Sequence, residues 1–360
     1  MIILVADLFQ EDYPGGGELT TEAIMEGCFL PIIKVRSNQL NKNALNLYKN
    51  SFWIFGSFAG ISDQMMVYIS QNMNYSVIEY DYKFCSYRSP EKHAAATGNC
   101  DCELSSHGKI VSIFMAKAKN VWFMSEGQKK FYCDMYSFLD KENVKVLSSV
   151  FDKKTLDYIE NLSDNRAKDD VWLIQNSPSW IKGTQDSIEY AKKNNLKYEA
   201  FQNLSYFDML GKFAKSKGFI SLPRGMDTCP RTAIEAKLLG CEVICNDKVQ
   251  HRDELWFQGS KENTIEYLRE RAKLFWIETL SNSSLNIPSF RNNEFRNKIN
   301  FKIVIPVYNA EPWIARAIKS VLEQEYENYE CIICDDISLD STAVVCENFC
   351  LLYTSPSPRD

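Results

Sequence analysis

No stretch of this sequence approaches the roughly 20 consecutive apolar residues of a membrane span, and its start, MIILVADLF, is a short strand without the basic flank of a signal peptide. A cytoplasmic protein is expected, one that meets a bilayer only at its surface. Positive charge is also short: 41 Lys and Arg against 47 Asp and Glu leave a net charge of −6. That balance excludes sequence-independent nucleic-acid binding, which needs a cationic surface to neutralise phosphates. Histidine is scarcer still, with His93, His107 and His251 the only three. The 12 cysteines do not imply a disulfide framework, which belongs to small secreted chains. Cys241, Cys245, Cys331 and Cys334 fall in apolar strand patterns and are expected to be buried thiols acting as small hydrophobes. A composition of 45% hydrophobic and 24% charged residues over 360 positions describes a well-cored globular protein of about two or three domains.

Apolar runs recur at MIILVA, FWIFGSF, YSVIEYDY, IVSIF, NVWFMS and VKVLSS, separated by polar segments of helix length. This alternation predicts a parallel sheet with crossover helices over residues 1–155. After the first strand come Gly15, Gly16 and Gly17 and then TTEAIMEGC at helical spacing. Such glycines let backbone N–H groups approach a ligand and permit positive φ. The small-residue turn FGSFAGIS at 55–62 is a second candidate lining of the same cleft. A polar stretch at 156–170 reads as a linker. A second α/β unit, 171–280, opens on VWLIQ, and the charged helix predicted near its end, 263–277, is placed to cross back to the first unit.

The centre of the second unit is 222–247, where GFISLP and CEVICN read as buried strands around a polar loop and a helix that starts near Pro230. Proline suits a first helical turn, where its missing N–H would be unpaired anyway. Ligands of open α/β sheets bind outside the carboxyl ends of the strands, and helix N-termini draw phosphate and hydroxyl oxygens. Chemistry is therefore expected around Asp227 and Glu235.

Asp227, seven residues, then Glu235-Ala236, followed by a small-residue turn and the strand at 242–244, resembles the donor-sugar motif of GT4-like retaining glycosyltransferases of the GT-B fold. The resemblance implies that Asp227 meets hydroxyls of the donor sugar and Glu235 the nucleotide ribose, with Thr228 beside them. Asp stands where the family usually has Glu, which shortens the reach of the first carboxylate. Lys182-Gly183 is similar to the Lys-Gly pair that places an ammonium on the donor diphosphate, where charge grows as the glycosidic bond breaks. The family's usual arginine five residues earlier is replaced by Ser177, and Arg224 and Arg231 are the candidate substitutes. In the same family the glycine-rich loop after the first strand faces the cleft, which puts Gly16 and Gly17 on the donor side and Glu18 on the acceptor side. None of the three histidines occupies a position that the resemblance specifies, so no general base is nominated.

Cys85, His93, Cys100, Cys102 and His107 crowd into one segment, 81–108. These soft and imidazole ligand types are what a structural zinc site uses in a reducing compartment. Their spacing fits no standard knuckle, and a solvated loop remains the alternative. Arg88 and Lys92 of the same segment are candidates to grip an anionic acceptor.

A polar linker is expected at 281–300. From Phe301, the strand KIVIPVYNAE, a helix and the strand YECIICDDISLD resemble the first βαβ unit of family 2, GT-A glycosyltransferases. That resemblance implies that Pro306, Tyr308 and Glu311 border the nucleotide and that Asp336 contacts its base. The family's metal-binding Asp-x-Asp and catalytic base lie further on than 301–349. The tail 350–360, CLLYTSPSPRD, looks like a translated sequencing adapter. The expected architecture is α/β: two Rossmann-like domains in a GT-B arrangement, then an incomplete GT-A unit. The expected activity is sugar transfer from a nucleoside diphosphate sugar to a glycan or lipid-linked acceptor, retaining, in surface polysaccharide synthesis. No cofactor is expected for the GT-B part, and a divalent metal only for a complete GT-A domain. A nucleotide-sugar epimerase and a non-catalytic glycan- or nucleotide-binding module are the alternatives.

Overall fold

The computed structural model describes residues 1–139, 141–162, 168–283, 301–324, 329–347, 349 and 352–354. Most of the expected linker at 281–300 and of the adapter-like tail at 350–360 lies outside them. Backbone contacts divide the chain into a unit of residues 1–286 and a unit of residues 287–360.

The larger unit holds two all-parallel sheets, as expected. The first contains β1 (Ile2–Ala6), β2 (Ile32–Arg36), β3 (Phe52–Phe55), β4 (Tyr75–Glu79), β5 (Val121–Phe123) and β6 (Val144–Val146) in the order β2-β1-β3-β4-β5-β6. Its inner strands β1, β3, β4 and β5 are buried throughout, which is why they read as unbroken apolar runs. The second sheet contains β7 (Asp169–Gln175), β8 (Tyr198–Phe201), β9 (Ser216–Ser221) and β10 (Glu242–Cys245) in the order β10-β9-β7-β8.

Three expectations change. IVSIF is not a strand but part of the helix Ser106–Lys117, capped by the Ser105 hydroxyl, which accepts from the Gly108 N–H. Val111, Phe114 and Met115 bury one helical face while Ile113 stays half-exposed, so tertiary packing overrides the β-propensity of a short β-branched run. Within 156–170, the helix Lys153–Leu162 carries buried Leu156 and Ile159, and β7 begins at Asp169. The helix that returns to the first sheet is split into Lys261–Arg269 and Arg271–Ser281. The second piece makes the return: Trp276 donates its indole N–H to the Ile24 carbonyl (2.7 Å), Trp122 donates to the Thr279 hydroxyl (3.0 Å), and Lys145 pairs with Glu278 (2.8 Å).

The smaller unit holds β11 (Phe301–Val307), β12 (Tyr329–Asp335) and β13 (Leu352–Thr354), all parallel. The helix Glu311–Leu322 follows β11 and packs Ile314 and Ile318 against Val307 and Ile333. No disulfide occurs among the described residues. Cys241 and Cys331 are buried as expected, whereas Cys245 and Cys334 are only half-buried.

Candidate functional site

The loop after β9 is held in place by contacts from both sheets. Thr228 donates its hydroxyl to the Tyr80 carbonyl (2.8 Å) after β4, and the Asp227 N–H donates to the Lys248 carbonyl (2.8 Å) after β10. Asp227 receives an ion pair from Lys182 at 2.7 Å, so the structure joins the two residues expected to act on sugar and diphosphate. Gly183 has φ +58 and caps the helix Thr184–Lys193. A Cβ there would overlap the Leu222 carbonyl oxygen, so only glycine brings that helix start and Lys182 against the end of β9.

Glu235 sits in the helix Arg231–Leu238 and is 1% exposed. Its Oε1 accepts from the Tyr206 hydroxyl (2.7 Å) and from Arg231 Nε (3.4 Å), while its buried Oε2 has no hydrogen-bond partner. Burial raises its pKa against the opposing pull of Arg231 and Tyr206. Arg231 is itself buried, donates to the Val150 carbonyl (2.5 Å) and lies over the Phe151 ring, 3.8 Å from its centroid. It acts as a clasp between the two sheets. Arg224 sits at the surface, paired with Asp186 at the start of the helix Thr184–Lys193.

Gly16 and Gly17 are the first two residues of the helix Gly16–Glu26 rather than loop, and no glycine of the triplet has positive φ. A side chain at Gly16 would meet Arg231, and one at Gly17 the Tyr80 ring. Gly17 and Glu18 line a cavity of about 210 Å³ together with Ser57, Tyr80, Asp81 and Arg88. Ser57 belongs to the second small-residue turn, which does reach this cleft. Burial pushes the Glu18 carboxyl up. Beneath the cavity, buried Lys83 pairs with Glu79 (3.1 Å) and Asp81 (3.0 Å), and Arg88 donates to Asp81 (2.6 Å). Burial alone would raise the Asp81 pKa, but the two cations outweigh it and lower it. Tyr206, Tyr80 and the Glu79–Lys83 pair were not singled out in the sequence; EYDYK at 79–83, a charged cluster directly after a buried strand, was the available signal.

Of the five ligand types in 81–108, His107 stands apart. Its Nδ1 lies 2.6 Å from Asp63 and its Nε2 2.9 Å from the Lys83 carbonyl, so both nitrogens are engaged away from the cysteines.

His251 is buried, and neither ring nitrogen has a hydrogen-bond partner. Its ring stacks on Trp256 and meets Phe257 edge-on. Burial, with Lys237 adding to it, lowers its pKa from 6.5 to about 3. The unfolded chain takes up this proton below about pH 6.5, and the folded chain does so only near its depressed value. Stability is therefore full above about pH 6.5 and falls as pH drops through that window, approaching about 1.4 kcal/mol per pH unit. His251→Phe is expected to flatten this loss; urea midpoints for both chains at about pH 7 and about pH 5 check it, and equal acid sensitivity would refute it.

In the smaller unit, register pairs Val307 with Asp335, which brings Tyr308 and Asp336 to neighbouring strand ends. Asp336 N–H donates to the Val307 carbonyl (2.9 Å), and Tyr308 is exposed. Pro306 lies within β11 opposite Cys334. Glu311 accepts from the Ser341 N–H (3.2 Å), tying the start of its helix to the turn after β12.

Comparison with known proteins matches residues 302–357 to the family described as glycosyl transferase family 2. Over 56 residues the chain is 46% identical to the Minor teichoic acid biosynthesis protein GgaA of Bacillus subtilis (strain 168), covering 15% of this chain and 13% of that protein. Over 40 residues it is 52% identical to the UDP-Glc:alpha-D-GlcNAc-diphosphoundecaprenol beta-1,3-glucosyltransferase WfgD of Escherichia coli, covering 11% of this chain and 16% of that protein. The chain thus spans less than a fifth of the length of either relative. Among solved structures, Anabaena Alr3699/HepE in complex with UDP and glucose aligns with a TM-score of 0.46 and 12% identity, over 78% of this chain and 99% of that one. An alpha-glucosyltransferase in complex with UDP-glucose and DNA aligns with a TM-score of 0.40 and 12% identity, over 78% and 92%. Residues 302–357 of the chain are thus similar to glycosyl transferase family 2.

Proposed function

We propose that residues 1–286 form a retaining glycosyltransferase that takes a nucleoside diphosphate sugar as donor and a glycan or lipid-linked acceptor, in surface polysaccharide synthesis. Residues from 301 onward open a second transferase. The observation that carries the reading is Glu235 Oε2, a buried carboxylate oxygen without a partner. Leaving such a group unpaired costs about 1–3 kcal/mol, and a ribose hydroxyl supplies the missing donor. Tyr206, half-buried over Glu235, moves aside to admit it. Donor binding exchanges the Lys182–Asp227 pair for Lys182 on the diphosphate and Asp227 on sugar hydroxyls. The pair is 31% exposed at Lys182 and 12% at Asp227, and in the exchange each side chain gains a partner on the donor for the one it gives up. The second unit's relatives bear names of sugar transfer, among them a dTDP-rhamnosyl transferase of Shigella flexneri, which supports a nucleotide-sugar donor there as well.

A non-catalytic nucleotide-binding module is the second reading. It is favoured by Arg224 and Arg231, whose charges are already engaged by Asp186 and by Val150 and Phe151. Titration of the full chain with UDP-, GDP- and ADP-sugars separates the cases. Wild type is expected to bind one nucleotide class and release sugar slowly to water. Glu235→Gln, which keeps the shape, should weaken binding about 5- to 100-fold. Binding without turnover would assign the module, acceptor-independent conversion of the sugar an epimerase, and no binding would end the donor-site reading.

A further inference from the structure

We propose that Cys85, His93, Cys100 and Cys102 bind one zinc ion as a closed, structural Cys₃His site. Their four ligand atoms, three Sγ and one imidazole nitrogen, all lie within 4.8 Å of one another. Cys102 Sγ is 3.2 Å from His93 Nδ1, Cys85 Sγ is 3.7 Å from the same nitrogen, and Cys100 Sγ is 3.7 Å from Cys85 Sγ. A tetrahedron with Zn–S of about 2.3 Å and Zn–N of about 2.0–2.1 Å has S···S edges of about 3.8 Å and S···N edges of about 3.5 Å. The observed separations scatter around these edges. They are far longer than the roughly 2.05 Å of an S–S bond, so the sulfurs converge without forming a disulfide.

The local backbone is built to gather these ligands. Cys85 leaves the segment after β4, and His93 sits in the helix Pro90–Thr97, which ends at Gly98 with φ +93. That left-handed residue reverses the chain and returns Cys100 and Cys102 towards His93 across an 18-residue span from 85 to 102. Tyr87 stacks on the His93 ring at 4.7 Å and 11°, which fixes the plane of the imidazole.

Energetics point the same way. The eight-residue helix Pro90–Thr97 buries none of its side chains, and a helix of this length is unstable in water without tertiary support. No fully buried apolar side chain of its own holds it. A metal that ties His93 to three cysteines on either side does. Four protein ligands leave no open position, which marks a structural rather than a catalytic ion, and three thiolates with one imidazole suit zinc over harder cations. On binding, Zn²⁺ replaces the three thiol protons, which pass to solvent.

This segment also carries Arg88, in the left-handed region at φ 55, whose side chain lines the cavity beside Glu18. Ser89 and Glu91 lie close to Gly225 of the loop after β9. The ion therefore orders a loop that touches both the acceptor-side cavity and the donor-side loop. The site does not depend on the transferase reading.

The test is metal analysis of the purified full-length chain. Wild type is expected to carry about one zinc per chain. Cys100→Ser and Cys102→Ser should weaken zinc retention against a competing chelator by more than about tenfold, because loss of a ligand exceeds the roughly 10- to 100-fold effect on affinity of losing an outer partner. Cys28→Ser, a cysteine outside the cluster, should leave it unchanged. Should the serine variants misfold, two measurements still decide. Cobalt(II) added to metal-stripped wild type should give the intense visible bands of a tetrahedral thiolate site, and His93→Cys should retain metal with those bands shifted. Wild-type chain without bound zinc and without a tetrahedral cobalt spectrum would overturn the site, as would zinc that survives both serine substitutions.

Discussion

Lys182→Ala is expected to lower sugar transfer from a nucleoside diphosphate sugar by about 10²–10³-fold in kcat, the usual loss when one preorganised group facing developing charge is removed. The structure sharpens this expectation, because Lys182 is paired with Asp227 at 2.7 Å. Its removal also leaves a carboxylate, 12% exposed, facing incoming phosphate. Repulsion then adds to the lost attraction, and donor affinity should fall with kcat. The double variant Lys182→Ala/Asp227→Ala relieves that repulsion. Its loss should be well short of the product of the two single losses, since residues that act as a unit are strongly non-additive. Single and double variants assayed against the same donor, with kcat and KM reported separately, test the pair. Multiplying losses would show that the two side chains act independently, and an unchanged rate in Lys182→Ala would remove the diphosphate from this position.

Most strands legible in the sequence lie inside their sheets; β6 and β10, read from VKVLSS and CEVICN, are edges, and β10, expected to be buried, is only half-buried with Glu242 exposed. β1, β3 and β9 read as apolar runs because helices cover them. Two edge strands escaped: β2 and β8 lie at the ends of their sheets, are only partly buried, and carry Lys34, Arg36 and Glu199. Charged residues of this kind protect an edge from pairing with another chain, and they also erase the apolar signal. IVSIF failed for the opposite reason, since a run of five residues, four of them β-branched or aromatic, cannot by itself distinguish a strand from one buried helical face.

At the candidate site, the resemblance pointed to Asp227, Glu235, Lys182 and Glu18, which the structure puts in the loop after β9, in the helix Arg231–Leu238, just before the helix Thr184–Lys193 and in the helix Gly16–Glu26. It could not show what meets them. Tyr206 reaches Glu235 across 29 positions, and Arg231 reaches Val150 across 81. Both contacts depend on how the helices Tyr206–Lys215 and Arg231–Leu238 pack, which pattern alone leaves open. The same limit applied to the cysteine-rich segment. His107 and His93 looked equivalent in sequence, and only the fold separates them, by giving His107 to Asp63.

Gly183→Ala is expected to lower stability by about 2–5 kcal/mol and to abolish donor binding with it. Two costs add. A non-glycine residue held in the left-handed region loses about 1–2 kcal/mol, and φ here is +58. The new Cβ would overlap the Leu222 carbonyl oxygen and approach Pro223, so the helix Thr184–Lys193 must back away from the end of β9, a displacement of the overpacking kind worth about 1–3 kcal/mol. Gly240→Ala separates the terms. Its φ is +76, but a Cβ there meets only the flexible end of Lys168, so the backbone cost alone should appear. Urea midpoints of the two variants should therefore differ by the steric term, and donor titration should fail only for Gly183→Ala, because only that change moves Lys182 away from Asp227. Equal destabilisation of the two variants would mean that Leu222 yields freely, and the close approach of helix and strand would then play no part in placing Lys182.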